Sequence, residues 1–385
     1  MAHVLDRAPL VQVEDADVRA TEATKAPSYY IPGLDGLRAM AILAVLLGHG
    51  FVQWDQTDTL SSVEQTIATS AGKLGTAGVR LFFAISGYLI TSRLARELSE
   101  GEPPRVLRAF YLRRFFRIIP PLIPYLATIA IAGLLGILPV HMSEVVAAAL
   151  FVANYFRAKS WFTGHFWSLS VEEHFYLLWA PLMIFGGFRR AGRFAVGVIV
   201  LTSIARPLVV AYMDNPTFAL RQTHLQLDGL MVSSLLALFL LDERRLERAR
   251  SAVSVTTVSL VGLCLGVVAA FSSRFTFPLL DPRSIEAMLF GVLVVSLTLR
   301  PELSITRLLE ARPLTWLGRR SYGIYIWQEL FFIPSTEPLG RKVVLFIGHL
   351  LIVLVIAQLS YRWLEAPMIR LGRRLAARGD RGVAS

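Results

Sequence analysis

Arg38 and His49 stand eleven positions apart in an apolar run, Gly33-Leu-Asp-Gly-Leu-Arg-Ala-Met-Ala-Ile-Leu-Ala-Val-Leu-Leu-Gly-His-Gly50. On a helix this spacing returns to within ~20° of one face, with a rise of ~16 Å. A charge inside a membrane span costs about 2.5–3.5 kcal/mol on insertion scales, so an ionisable residue there is a candidate for function. Arg38 is expected near the cytoplasmic mouth of the helix and His49 deeper on the same face. A neutral imidazole can take a proton from a hydroxyl near neutral pH. It can also attack an acyl group and carry it briefly; the sequence leaves both routes open. Gly48 and Gly50 flank His49 and are expected to leave room for a substrate. Asp35, one turn before Arg38, is a candidate for substrate binding.

A second set lies in Tyr111-Leu-Arg-Arg-Phe-Phe-Arg-Ile-Ile-Pro-Pro121. Arg114 and Arg117 share a helical face, and the prolines are expected to start the helix that follows. A helix N-terminus beside guanidinium forks would suit a phosphate; membrane anchoring by basic residues explains the pair equally well. The third set is Phe166-Trp-Ser-Leu-Ser-Val-Glu-Glu-His-Phe-Tyr176. Glu172 and Tyr176, at i and i+4, share a face and could orient or protonate a substrate. Glu173 and His174 are candidates for substrate binding, although Ser170 followed by Glu173 also fits a purely structural capping box. Arg80 and Arg362 lack evident partners, and Arg206 before Pro207 suggests a kinked helix with a polar interior. No histidines have metal-ligand spacing, so no metal is expected. The lone cysteine, Cys264, lies in an apolar run and is expected to pack in the core.

These residues need elements to carry them. The chain has 385 residues, 54% hydrophobic and 17% charged, far from the roughly 25% charged of soluble domains. The expected fold is all-α: a polytopic membrane protein of about ten transmembrane helices. The apolar runs fall at 37–55, 74–92, 118–138, 168–187, 194–213, 222–241, 252–272, 284–300, 320–335 and 342–364. The run 145–156 is too short to span and is expected to be re-entrant or interfacial. With both termini cytoplasmic, the inner loops hold 24 Lys and Arg against 8 in the outer ones, as the positive-inside rule requires. The net charge of +11 is thereby explained without nucleic acid. Residues 1–30, which lack a signal-peptide core, are expected to form a disordered cytoplasmic tail. A membrane domain over 31–367 and a basic cytoplasmic tail over 368–385 complete the expected organisation.

Six stretches, in order, resemble the acyltransferase 3 family of bacterial membrane O-acyltransferases. They are Gly33-Leu-Asp-Gly-Leu-Arg38 with its Arg-x10-His ending at His49; Leu81-Phe-Phe-Ala-Ile-Ser-Gly-Tyr-Leu-Ile90; Arg114-x-x-Arg117; Trp167-Ser-Leu-Ser-Val-Glu-Glu-His-Phe-Tyr176; Ser321-Tyr-Gly-Ile-Tyr325; and Tyr361-Arg-Trp-Leu-Glu-Ala-Pro367. Where the family often has a histidine soon after the Ser-Tyr-x-x-Tyr motif, this chain has Gln328, which is given no catalytic part. The fused esterase-like domain of some members is expected to be absent. The resemblance implies a cytoplasmic acyl-CoA donor, acetyl-CoA above all, and a hydroxyl of a glycan or glycoconjugate as acceptor, in the inner (cytoplasmic) membrane. It implies catalysis by His49, Arg38 and Glu172, and donor binding by Arg114, Arg117 and Arg38. A secondary transporter or flippase for a hydrophilic solute would use the same intramembrane residue types, but transporters show paired halves and no such pair is visible here.

Overall fold

A chain in hydrocarbon must satisfy its backbone N–H and C=O groups internally, which favours helices throughout. The computed structural model describes residues 30–52, 62–157, 160–214, 216–271, 281–333 and 339–378; among these the structure is helical, with no strand. In chain order the helices are α1 (Leu34–Val52), α2 (Ser62–Glu100), α3 (Pro103–Leu134), α4 (Met142–Ala149), α5 (Phe166–Pro181), α6 (Phe188–Tyr212), α7 (Pro216–Ala219) and α8 (Asp228–Phe239). They continue with α9 (Glu243–Ala252), α10 (Val255–Phe271), α11 (Pro282–Leu299), α12 (Ser304–Leu309), α13 (Arg312–Arg319), α14 (Ser321–Trp327), α15 (Leu339–Ser360) and α16 (Ala366–Arg378). Tight 3-10 turns lie at Ala153–Tyr155, Trp161–Thr163, Thr223–Leu225 and Gln328–Leu330. Wider π-helical turns at Leu182–Gly186 and Tyr361–Glu365 extend α5 and α15.

Among the described residues, five helices are long and apolar enough to cross a bilayer, or six if the pair Glu243–Ala252 and Val255–Ala269, bent by 80°, forms one span. The chain is a multi-pass membrane protein. A helix lies on each of the ten apolar runs, but α8 has 12 residues and α14 only 7. The segment too short to span contains the eight-residue α4. Buried Glu144 ties it to the following turn, accepting from the Ser160 backbone N–H at 2.6 Å and the Thr163 hydroxyl at 2.7 Å.

Several expectations change. Helix α3 begins at Pro103, with Pro120, Pro121 and Pro124 inside it. Arg114 and Arg117 are therefore in the body of a helix, and no helix terminus faces a ligand there. Cys264 is exposed on the outside of α10; apolar residues of a membrane protein also cover its lipid face, so apolarity does not mark the core. The basic segment from 368 is, as far as 378, part of α16, which packs on α3 with Gly372 against Phe116. The tail 1–29 lies outside the described residues. Arg80 does have a partner, an ion pair with Glu286 of α11. Arg206 is buried and bonded to Asp228, to Ser284 Oγ at 3.1 Å and to the Leu225 carbonyl at 2.7 Å.

Candidate functional site

Helix α5 carries a polar line on one side. Ser168, Glu172 and Tyr176 recur every four residues, and each lines a partly open cavity of about 90 Å³. Arg38 of α1, Ser86 of α2, Arg114 and Arg117 of α3, Glu173 of α5 and Ser321, Tyr322 and Tyr325 of α14 complete its polar lining. The expected pairing of Glu172 with Tyr176 is present: the phenol donates to Glu172 Oε2 at 3.1 Å. Ser86 of α2 donates to Glu172 Oε1, also at 3.1 Å, so the carboxylate is held from two helices.

The arginines differ in how they are held. Arg38 donates to Asp35 at 2.9 Å, and Asp35 also meets Arg319 at 3.2 Å. Asp35 thus orients Arg38 from outside the cavity lining. Arg114 lies 4.8 Å above the Tyr176 ring and 5.8 Å from the Phe110 ring. Among the described residues neither Arg114 nor Arg117 forms a salt bridge or a hydrogen bond. Two guanidinium forks beside each other, open to a cavity, suit an anion with several oxygens.

Ser170 is inside α5, not at its start, and its hydroxyl donates to the Phe166 carbonyl at 2.9 Å. The capping-box reading of Glu173 therefore fails, because the helix already begins at Phe166. His174 does not line the cavity; its Nδ1 lies 2.6 Å from Thr223 Oγ1, and its ring tilts against Tyr155. Substrate binding by His174 and Asp35 is not supported by their placement.

His49 is absent from the cavity lining, and a chain of contacts leads to it from the lining residues Ser168 and Tyr325. These two share a short hydrogen bond, and the Tyr325 hydroxyl donates to the His165 carbonyl at 3.0 Å. The His165 ring meets Glu329, and Glu329 faces His49. His49 Nδ1 lies 2.9 Å from Gln328 Oε1, and Trp161 stands edge-on to the imidazole at 5.7 Å. The flanking glycines do not clear space for a substrate. A side chain at Gly48 would meet the backbone of Gly75 in α2, and one at Gly50 would meet the Phe346 ring. They allow helices to approach.

Sequence reasoning passed over Glu329, Gln328 and His165. Glu329 lies within an apolar run, so the rule that singled out Arg38 and His49, an ionisable group at membrane depth, finds it too. Gln328 was set aside because it replaces a histidine, yet its amide supplies the hydrogen bond to His49.

The chain matches, over residues 31–362, a family described as an acyltransferase domain. It is 26% identical over 378 residues to the peptidoglycan O-acetyltransferase OatA of Listeria monocytogenes, which covers 91% of this chain and 57% of that protein. It is 27% identical over 387 residues to the O-acetyltransferase OatA of Staphylococcus aureus, covering 94% of this chain and 60% of the relative. The chain thus spans less than two thirds of the length of these relatives. No solved structure matches it.

Proposed function

The chain belongs to the acyltransferase 3 family, and from that premise we propose that it is a membrane O-acyltransferase moving an acetyl group from acyl-CoA to a hydroxyl of a glycan. The relatives' names, which specify peptidoglycan or O-acetyl transfer, support the acceptor class and the acyl group. One observation carries the reading: two arginines that form no salt bridge among the described residues open on a cavity whose lining residues Ser168 and Tyr325 lead, through His165 and Glu329, to His49. In this proposal Arg114, Arg117 and Arg38 hold the phosphates of acyl-CoA, with acetyl-CoA the principal donor. The pantetheine arm runs past Glu172, Glu173 and Tyr176 toward Ser168 and Tyr325. Glu173 and Tyr176 contact substrate, and Glu172, gripped by Ser86, fixes the Tyr176 hydroxyl.

His49 is the general base. Its Nδ1–H donates to Gln328 Oε1, leaving the Nε2 lone pair to take the proton of the acceptor hydroxyl. The acceptor oxygen bonds to the acyl carbon, the C–S bond breaks, and the proton passes from Nε2 to the departing sulfur. A barrier lowered by general-base catalysis accounts for about 10²–10⁴-fold in rate.

The proposed topology has ten crossings with both termini cytoplasmic, in the cytoplasmic membrane. Runs 222–241 and 320–335 cross as broken helices whose irregular turns are covered by protein. In this proposal residues 31–367, together with the packed helix α16, make up the acyltransferase domain.

Purified protein in nanodiscs, given radiolabelled acetyl-CoA and a panel of hydroxylated glycans, is expected to release free thiol and yield acetylated glycan detectable by mass spectrometry. His49→Ala is expected to lose turnover while keeping donor binding. Retention of more than about a tenth of the activity removes His49 as the base. Label left on the protein without acceptor favours the covalent route instead.

A further inference from the structure

Glu329 lies in the turn after α14, only 3% exposed, and takes no part in the cavity lining. Its Oε2 accepts from the His165 ring at Nδ1, 2.6 Å away, and from the His165 backbone N–H at 3.2 Å. Its Oε1 faces His49 Nε2 at 3.8 Å and, among the described residues, accepts no hydrogen bond. A buried carboxylate is costly unless its oxygens find donors. One oxygen is doubly satisfied, and the other waits beside a nitrogen.

The neighbouring atoms fix the protonation pattern. A glutamine Oε1 only accepts, so His49 carries its hydrogen on Nδ1 and its lone pair on Nε2, the nitrogen turned to Glu329. His165 Nε2 is buried with no hydrogen-bond partner, which suits a neutral ring that donates through Nδ1 to Glu329. The Trp161 indole N–H holds the turn itself, donating to the Glu329 carbonyl at 3.0 Å.

We infer that Glu329, fixed by His165, is a positioning residue for the base: its free oxygen stabilises the imidazolium that His49 becomes during acyl transfer. The acceptor O–H bond breaks as its oxygen bonds the acyl carbon, and the proton forms an N–H at His49 Nε2. The new positive charge then lies beside Glu329 Oε1. When the C–S bond breaks, the same proton goes to the thiolate of CoA, and His49 returns to neutral. His165 takes no proton; it keeps the carboxylate from turning away. The inference rests on His49 being the base of the proposed reaction.

The test compares His49→Ala, Glu329→Gln and Glu329→Asp, as full chains in nanodiscs, by kcat and by donor KM. With His49→Ala inactive, Glu329→Gln is expected to lose about 10–100-fold in kcat, the size seen for carboxylates that orient a histidine in metal sites. The donor KM should stay within about twofold, since the donor's phosphates bind at the arginine end. Glu329→Asp restores the charge and is expected to recover part of the loss. Parental kcat in Glu329→Gln overturns the inference while the His49 reading stands; activity in His49→Ala overturns that reading itself. If Glu329→Gln does not accumulate, His165→Ala decides, by a fall in kcat at unchanged donor KM; parental kcat there also overturns the inference.

Discussion

Two groups of buried or half-buried arginines in this molecule are satisfied in opposite ways. In the group formed by α6, α8 and α11, Arg206 meets Asp228, the Ser284 hydroxyl and a backbone carbonyl, and Ser284 in turn donates to Asp228 at 3.1 Å. Arg80 of α2 is paired with Glu286 of α11 nearby. Each cation there has its anion within the fold. Around the cavity of α1, α3, α5 and α14, Arg114 lies over the Tyr176 ring, Arg117 stands one turn on, and among the described residues neither forms a salt bridge, although Glu172 and Glu173 share the lining. Both regions would be marked by the same sequence rule, that a charge at membrane depth is a functional candidate. The difference teaches that depth selects candidates, and the partner list decides among them. A satisfied cation joins helices, whereas one without a salt bridge beside a cavity is the candidate for a ligand, as proposed for Arg114 and Arg117.

That contrast can be broken by mutation. The largest effect is expected at Asp228→Ala, which strands the buried Arg206; removing one partner of a buried pair costs about 3–5 kcal/mol. Thermal unfolding in detergent should show a marked loss of stability, with donor KM unchanged in whatever protein remains folded. A parental unfolding temperature would mean that this cluster does not hold the helices together.

Arg117→Lys is expected to do the reverse. Lysine keeps the charge but loses the planar fork, so donor KM should rise about tenfold, or about 1.4 kcal/mol, with unfolding unchanged. If donor KM is parental, Arg117 only anchors α3 at the membrane, and the contrast between the two regions collapses.

The smallest perturbation sharpens the orientation of the cavity. In a Cys264→Ala background, single cysteines at exposed Ser143 and Ser251 should behave differently toward an impermeant maleimide in intact cells. Label at Ser143→Cys and none at Ser251→Cys is expected from ten crossings; equal labelling would overturn that topology and the cytoplasmic position of the arginine end.

Much of the architecture was legible because hydrocarbon imposes simple demands. Twenty apolar residues in a row must be helical, and a helix on each apolar run followed directly. Within one helix the 3.6-residue period also placed Glu172 with Tyr176, whereas the ion pair of Arg38 with Asp35 is a finding of the structure. Arg114 and Arg117 were legible as a pair, though not their place inside α3, because prolines at 120 and 121 resemble a helix start and in a membrane protein can also sit in a helix body.

What the sequence determined by itself is therefore the set of apolar runs that are helical, some of the residues that share a face on them, and the family to which they belong. Tertiary structure alone decided which faces meet. Gln328 reaches His49 across 279 positions of sequence, Glu329 joins His165 across 164, and Arg80 finds Glu286 on another helix. Helical periodicity carries no information about such pairs. They depend on which helices can approach closely, as α1 and α2 do where Gly48 lies against Gly75, and that is settled by packing of the whole bundle rather than by any local run of residues.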